Sequence, residues 1–315
     1  MISLKIAKNF VQTLDSLPSS WVFYAIRGEE GYLYAGLSAR LGARLNSFWQ
    51  KSEEDRLLAE MTSSAEVLEY QSMPNSMSAL IMLKTFTMEH HPRFQNRIHP
   101  WADYVYLALD SHRFPFITIQ QHTNDDWTYL GPFRSRFFLA DIIDSLSRIL
   151  KLPYCETGSY PCDKFERGSC RGWCLALAPA AETPLEHGLD KLEVLLKETY
   201  MHPQNGILEM VQKERDAYFD NLEFTKADLL DDELRLLSKY RDWLNFLYVA
   251  KGLSLENSQI TIEEGQLSRA VLNGNEYLFP IDKSPARENE TLALPLARVD
   301  EMKIIYDYVK ELSHA

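Results

Sequence analysis

The N-terminal third of the chain alternates between helical and strand periodicity. Leu4, Ile6, Phe10, Val11 and Leu14 predict an amphipathic helix over residues 1–17, ended by Leu17-Pro18-Ser19-Ser20. Residues 21–26, WVFYAI, read as an apolar strand. Arg27-Gly28-Glu29-Glu30-Gly31 reads as a turn and 32–35, YLYA, as the returning strand. Gly36 and Ser38 open a helix that runs to about Phe48, with Leu41, Leu45 and Phe48 on one face. A third strand is expected at 66–71. Ser76 is the expected N-cap of a helix from Met77 to His90, with Leu80, Leu83 and Thr87 on one face and Pro92 ending it.

Residues 103–109 and 114–120 pattern as a second hairpin around Asp110-Ser111-His112-Arg113, followed by a helix over 135–150. Trp101, Tyr104, Tyr106, Phe114 and Phe116 suit the core of that hairpin, with base stacking as the alternative. Helices are predicted over 186–200 and 205–251, the second long and broken. Two short strands follow within 258–280, joined by Asn273-Gly274-Asn275, and a final helix spans 298–312. This order predicts an α+β fold: a small antiparallel sheet flanked by helices, a cysteine loop, then a mainly helical region. The expected divisions are 1–100, 101–178, 179–251 and 252–315.

The composition, 45% hydrophobic and 25% charged, is that of a globular protein. No run of about 18 apolar residues is present, and the N-terminus has no signal-peptide pattern. A cytoplasmic protein without membrane association is expected. The formal net charge of −12 argues at first against a polyanionic partner. Its distribution changes that inference. Residues 1–155 carry 15 basic and 16 acidic side chains, whereas 156–315 carry 18 and 29. The charge argument against DNA therefore applies only to the second half. There Asp228, Asp231, Asp232 and Glu233 form either a solvated face or a dock for a basic protein.

All four cysteines lie within one short stretch, Cys155, Cys162, Cys170 and Cys174, spaced C-x6-C-x7-C-x3-C. Such clustering favours a metal or cluster over two disulfides or unrelated thiols. Spacing alone leaves zinc and a [4Fe–4S] cluster both open. Gly158, Pro161, Gly168 and Gly172 let a loop wrap closely. Lys164, Arg167 and Arg171 oppose thiolate charge or simply solvate the loop.

Trp21-Val22-Phe23, Tyr34-Ala35-Gly36-Leu37 and Arg40-Leu41-Gly42-Ala43-Arg44 resemble the opening motifs of the GIY-YIG nuclease family as found in UvrC. Further segments recur in the family's order. They are Pro92-Arg93-Phe94-Gln95, Asp110 to Ile117 and Tyr129-Leu130-Gly131-Pro132-Phe133. The cysteine loop follows, and then Asn221-Leu222-Glu223-Phe224-Thr225-Lys226-Ala227. The resemblance covers about residues 20–250 and implies nucleotide excision repair. It implies a [4Fe–4S] cluster on the four cysteines. It also implies a helical hairpin that binds a UvrB-like partner through Leu222, Phe224 and Ala227. The 65 or so residues that remain are too few for the family's second nuclease and DNA-binding modules.

The resemblance also implies a one-metal phosphodiesterase, and this sequence departs from it. Tyr34, Gly36 and Arg44 match. The first tyrosine position is Phe23, with Tyr24 beside it as a substitute if a bulge turns it. The lysine position is Leu37. The metal glutamate position is Leu83 and the earlier glutamate is Ser78. The asparagine position is Gln95, beside Asn96. Leucine cannot coordinate Mg²⁺. Leu37 and Leu83 then read as packing residues, and Gly36, Arg40, Arg44, Arg93 and Arg97 remain as candidate DNA contacts. The expectation is a non-cleaving accessory that binds a partner, and DNA weakly or with that partner's help. The alternatives are an active single-incision endonuclease, which would need Mg²⁺, and a redox-linked Fe–S interaction protein.

Overall fold

The computed structural model describes all residues except 8–9, 96–103, 124–125, 154, 156–162, 175–185, 204–205, 273, 280, 282–291 and 315. In chain order, the first elements are β1 (Ile2–Lys5), a 3₁₀ segment (Phe10–Ser16), β2 (Val22–Gly28), β3 (Gly31–Ser38), α1 (Leu41–Lys51), α2 (Arg56–Ser63), β4 (Val67–Ser72) and α3 (Ser76–His90). Then come β5 (Val105–Leu109), β6 (Ile117–Gln120), β7 (Thr128–Phe133), α4 (Arg136–Leu150), α5 (Asp163–Glu166), α6 (Glu186–Met201), α7 (Ile207–Asp220) and α8 (Phe224–Ala250). The last are β8 (Leu255–Glu256), β9 (Ile260–Glu263), β10 (Gln266–Leu272), β11 (Asn275–Leu278), β12 (Leu292–Ala293) and α9 (Val299–His314).

Two units result, each built from separate stretches of chain. The first comprises Met1–Pro100, Gly252–Asp282 and Asp300–Ala315; the second comprises Trp101–Lys251 and Lys283–Val299. The region 252–315 is therefore shared between them. Among the described residues no helix is long and apolar enough to cross a membrane.

The first unit holds two sheets. One has the strand order β1-β4-β2-β3, all pairs antiparallel. The first 17 residues are not the expected helix. Ile2, Leu4 and Ile6 alternate, and residues 2–5 pair with β4; the helical spacing of Phe10, Leu14 and Leu17 begins only afterwards. Helix α3 begins one residue earlier than expected, because Asn75 rather than Ser76 is its N-cap. The Asn75 Oδ1 accepts the Ser78 N–H at 2.9 Å, and the Ser78 Oγ accepts the Asn75 N–H in return.

The run SMSALIMLKTFTMEH is apolar around most of its circumference, and a helix of that kind needs cover on more than one side. Ala79, Met82, Leu83 and Phe86 pack with Phe23, Ala25 and Ala35 of its own sheet. Met77 and Ile81 pack instead with Ile260, Ile262, Leu267, Ala270 and Ile305. These belong to the second sheet, β11-β10-β9-β8, and to α9. The C-terminal segments thus supply part of the apolar shell around α3.

The second unit has the sheet order β12-β7-β5-β6, with α4 following β7. Tyr104, Tyr106 and Phe116 are buried, as core residues of a hairpin should be, while Phe114 is exposed; Trp101 lies outside the described residues. Strand β12 runs parallel to β7 and closes its edge; Tyr106 donates to the Leu294 carbonyl at 2.8 Å. The predicted long broken helix is the antiparallel pair α7 and α8, joined by a short turn at Asn221–Glu223.

Candidate functional site

Strands β2 and β3 carry the first part of the site. Their register sets Phe23 opposite Leu37, Tyr24 opposite Gly36 and Ile26 opposite Tyr34, and the irregularity in the pair comes later, between Ile26 and Arg27. No bulge therefore turns Tyr24 into the place of Phe23. The two side chains point to opposite faces, as neighbours in a regular strand must.

On one face, Phe23, Leu37 and Leu83 join a single apolar cluster with Trp21, Met82 and Phe86. The Phe23 and Phe86 ring centres are 5.0 Å apart. Three positions separated widely in sequence thus meet, and all three are hydrocarbon. Ser78 is fully buried and spends its hydroxyl on the helix cap. Nothing in this cluster ligates a hard divalent cation, which takes oxygen donors.

On the other face lie the polar remnants. Tyr24, Tyr34 and Phe48 pack in the neighbouring core, with the Tyr24 and Tyr34 ring centres 6.2 Å apart. The Arg44 guanidinium sits 4.7 Å from the Phe48 ring centre. The Tyr24 hydroxyl is buried, and Tyr34 and Arg44 are the polar side chains that interact with it. Burial pushes its pKa well above the ordinary phenol value and Tyr34 adds to that shift, while Arg44 opposes it. Gly36 makes room for this ring, since a Cβ there would lie 2.7 Å from the Tyr24 Oη. Gly36 is itself buried.

The Pro92-Arg93-Phe94-Gln95 segment covers the open edge of β3. Arg93 N–H donates to the Tyr32 carbonyl at 3.1 Å and Phe94 N–H to the Leu33 carbonyl at 2.7 Å. The Gln95 Oε1 accepts the Ala35 N–H at 3.2 Å. Gln95 therefore holds the sheet edge. Arg93 is ion-paired with Glu60 at 2.5 Å, and Arg40 is exposed at the start of α1. Arg97 and Asn96 lie outside the described residues.

A second feature is the tip of the α7–α8 hairpin. Leu222 sits in the left-handed region at φ 61°, an unfavourable conformation for a residue with a Cβ, and its side chain is 73% exposed. Phe219 and Phe224 flank it, both exposed, with ring centres 5.3 Å apart. Ala227, by contrast, is only 2% exposed. The acidic cluster behind the tip is largely neutralised from within. Asp231 pairs with Arg215 at 2.9 Å, Asp232 with Arg235 at 2.8 Å and Glu233 with Arg148. Asp228 is exposed beside them.

The third feature is the cysteine loop, of which Cys155, Cys170 and Cys174 are described and Cys162 is not. Short helix α5 is followed by a turn in which Cys170 N–H donates to the Lys164 carbonyl at 3.0 Å. Gly172, at φ 73°, then directs its N–H to the Cys170 Sγ at 3.4 Å. The Trp173 Nε1 is buried without a partner. Among the described residues, no three His, Cys, Asp or Glu side chains are gathered so as to hold a metal.

The sequence profile of the UvrC/Cho excinuclease middle domain matches residues 104–182. The chain is 24% identical over 234 residues to the UvrABC system protein C of Methanosarcina acetivorans, covering 74% of this chain and 44% of that one. It is 23% identical over 300 residues to the same protein of Dechloromonas aromatica, covering 91% and 48%. The chain thus spans less than half the length of these curated relatives. A solved GIY-YIG N-terminal endonuclease domain of UvrC from Thermotoga maritima aligns at 18% identity. That alignment has a TM-score of 0.27 and covers 29% of this chain and 100% of that one.

Proposed function

We propose that this chain, which is UvrC-like, is a partner-binding accessory of nucleotide excision repair whose GIY-YIG-type site no longer cleaves DNA. The observation that carries the proposal is the convergence of Phe23, Leu37 and Leu83 in one apolar cluster. The family resemblance puts a tyrosine, a phosphate-binding lysine and a metal-binding glutamate at those positions. Here their packing holds the sheet against α3, and none of the three side chains offers a group for phosphate or metal.

The hairpin tip supports the partner role. An exposed leucine in a left-handed conformation adds neither burial nor backbone comfort to the free chain. Contact with a partner supplies the missing burial, and Phe219 and Phe224 extend the apolar surface. Leu222→Asp is expected to weaken binding of the full chain to UvrB from the same organism by about thirtyfold or more, the range of an interface hot spot. Helical circular dichroism is expected to stay unchanged. Calorimetric titration checks this, and unaltered affinity would remove the hairpin from the interface.

The cysteine loop suits a thiolate-ligated group in its donor type, and an N–H···S bond to Cys170 is of the kind that supports a charged sulfur. A [4Fe–4S] cluster held by Cys155, Cys162, Cys170 and Cys174 is the proposed occupant, with zinc as the alternative. Protein purified without oxygen is expected to be brown, and Cys170→Ala to bleach it. Colourless protein with stoichiometric zinc would overturn the cluster assignment.

A further inference from the structure

Helix α4 is amphipathic, with Ser145 and Ser147 the polar members of its buried face. Leu139, Ile142, Ile143 and Leu146 are buried, whereas Asp141, Asp144 and Arg148 face solvent. Phe137 falls on that solvent stripe, spaced four residues before Asp141. At 82% it is the most exposed large hydrophobic side chain among the described residues. The helix does not depend on it. The Ser135 Oγ caps the Phe138 N–H at 3.2 Å, and an aromatic residue has no propensity advantage at an open helical position.

Two exposed arginines, Arg134 and Arg136, precede it in the sequence. The Arg134 Nε donates to the Tyr104 hydroxyl at 2.9 Å, and its guanidinium lies 5.8 Å from the Trp243 ring centre. The Trp243 Nε1 in turn donates to the Pro132 carbonyl at 3.0 Å. Arg134 is therefore a held cation rather than a free-swinging one, and Arg136 stands next to the ring in sequence. The stretch 131–151 carries four Lys/Arg against two Asp, in a chain whose net charge is −12. An open aromatic face beside fixed positive charge complements one chemistry in particular: a base to stack and phosphates to neutralise.

We infer that Phe137, with Arg134 and Arg136, is a stacking point for an unpaired nucleotide of DNA. Asp141 and Asp144 lie further along the same stripe and repel phosphate. The strand therefore passes on the Arg134 and Arg136 side. The inference rests on the DNA-associated role proposed above and gives the second unit its own contact with the nucleic acid.

The test is fluorescence anisotropy of the full chain on a labelled duplex with a central unpaired bubble, beside the same duplex fully paired. Wild-type protein is expected to prefer the bubble. Phe137→Ala is expected to weaken bubble binding by about tenfold, the order contributed by one base–aromatic stack, and to erase the preference. Phe137→Trp is expected to retain both. Arg136→Ala is expected to lower the salt dependence by about one phosphate contact. Bubble binding by Phe137→Ala equal to wild type would overturn the stacking point while leaving the DNA role intact. A wild-type chain that binds neither duplex would overturn both. A change in self-association of Phe137→Ala by sedimentation, with DNA binding untouched, would assign the surface to a second copy and overturn the inference as well.

Discussion

Ile81→Ala is expected to destabilise the first unit by about 2–5 kcal/mol, the range for a buried isoleucine or leucine whose surroundings only partly collapse. Ile81→Asp is expected to unfold that unit, because an unpaired carboxylate in an apolar cluster adds a desolvation penalty to the lost packing. A domain has only about 5–15 kcal/mol to lose. The neighbours of Ile81 are C-terminal: Ile260, Ile262, Leu267 and Ile305. Ile305→Ala is therefore expected to destabilise the same unit by a similar amount, although it lies more than two hundred residues further along the chain. Native-state hydrogen exchange reads this directly. Amides of β2 and β10 are expected to exchange at one shared opening free energy, lowered together by either substitution. An Ile305→Ala variant with unchanged exchange in β2 would show that the C-terminal segments do not support α3.

The sequence reveals elements whose signal is local and hides those whose definition is tertiary. The β2–β3 hairpin announces itself through WVFYAI and two flanking glycines. Helix α4 announces itself through the helical spacing of Leu139, Ile142, Ile143 and Leu146. In contrast, the first 17 residues mix two periods, so that a short edge strand and a 3₁₀ segment merge into one apparent helix. Helix α2 is short and follows a charged stretch, although Asp55, which accepts the Leu57 N–H at 2.8 Å, was a readable N-cap. The β9–β10 turn also left a signal in Glu264-Gly265, both at positive φ. Strand β12 left none. Two residues become a strand only because β7 offers an open edge.

At the candidate site, the sequence shows which positions differ from the pattern that the resemblance implies but not where their side chains go. Counting positions leads to Leu83, and only the fold shows it beside Phe23 and Leu37. The same limit applies to Tyr24. Strand alternation gives its opposite orientation, and the unbroken register at Phe23 and Tyr24 removes the bulge that would have rescued it. Gly36, a candidate nucleic-acid contact by sequence, leaves the space that the Tyr24 ring fills. Ala227 is buried for a comparable reason: position within a motif does not give the direction of a side chain on a packed helix.

The largest functional effect concerns cleavage. A divalent ion in such a reaction stabilises developing charge and activates water, effects of several kcal/mol, and about 1.4 kcal/mol corresponds to each factor of ten in rate. With hydrocarbon at Phe23, Leu37 and Leu83, the proposed function predicts no such contribution and a loss of orders of magnitude. Restoring one group does not restore the ensemble. Leu83→Glu is expected to remain inactive, because Leu37 still offers no cation to phosphate and the Tyr24 phenol stays buried on the far face. The decisive measurement is a nicking assay of the full chain on supercoiled and bubble-containing DNA with Mg²⁺ or Mn²⁺, with and without UvrB. Cleavage no greater than in the metal-free control is the expected result. Metal-dependent nicking that disappears in Arg44→Ala would contradict it and establish a working nuclease.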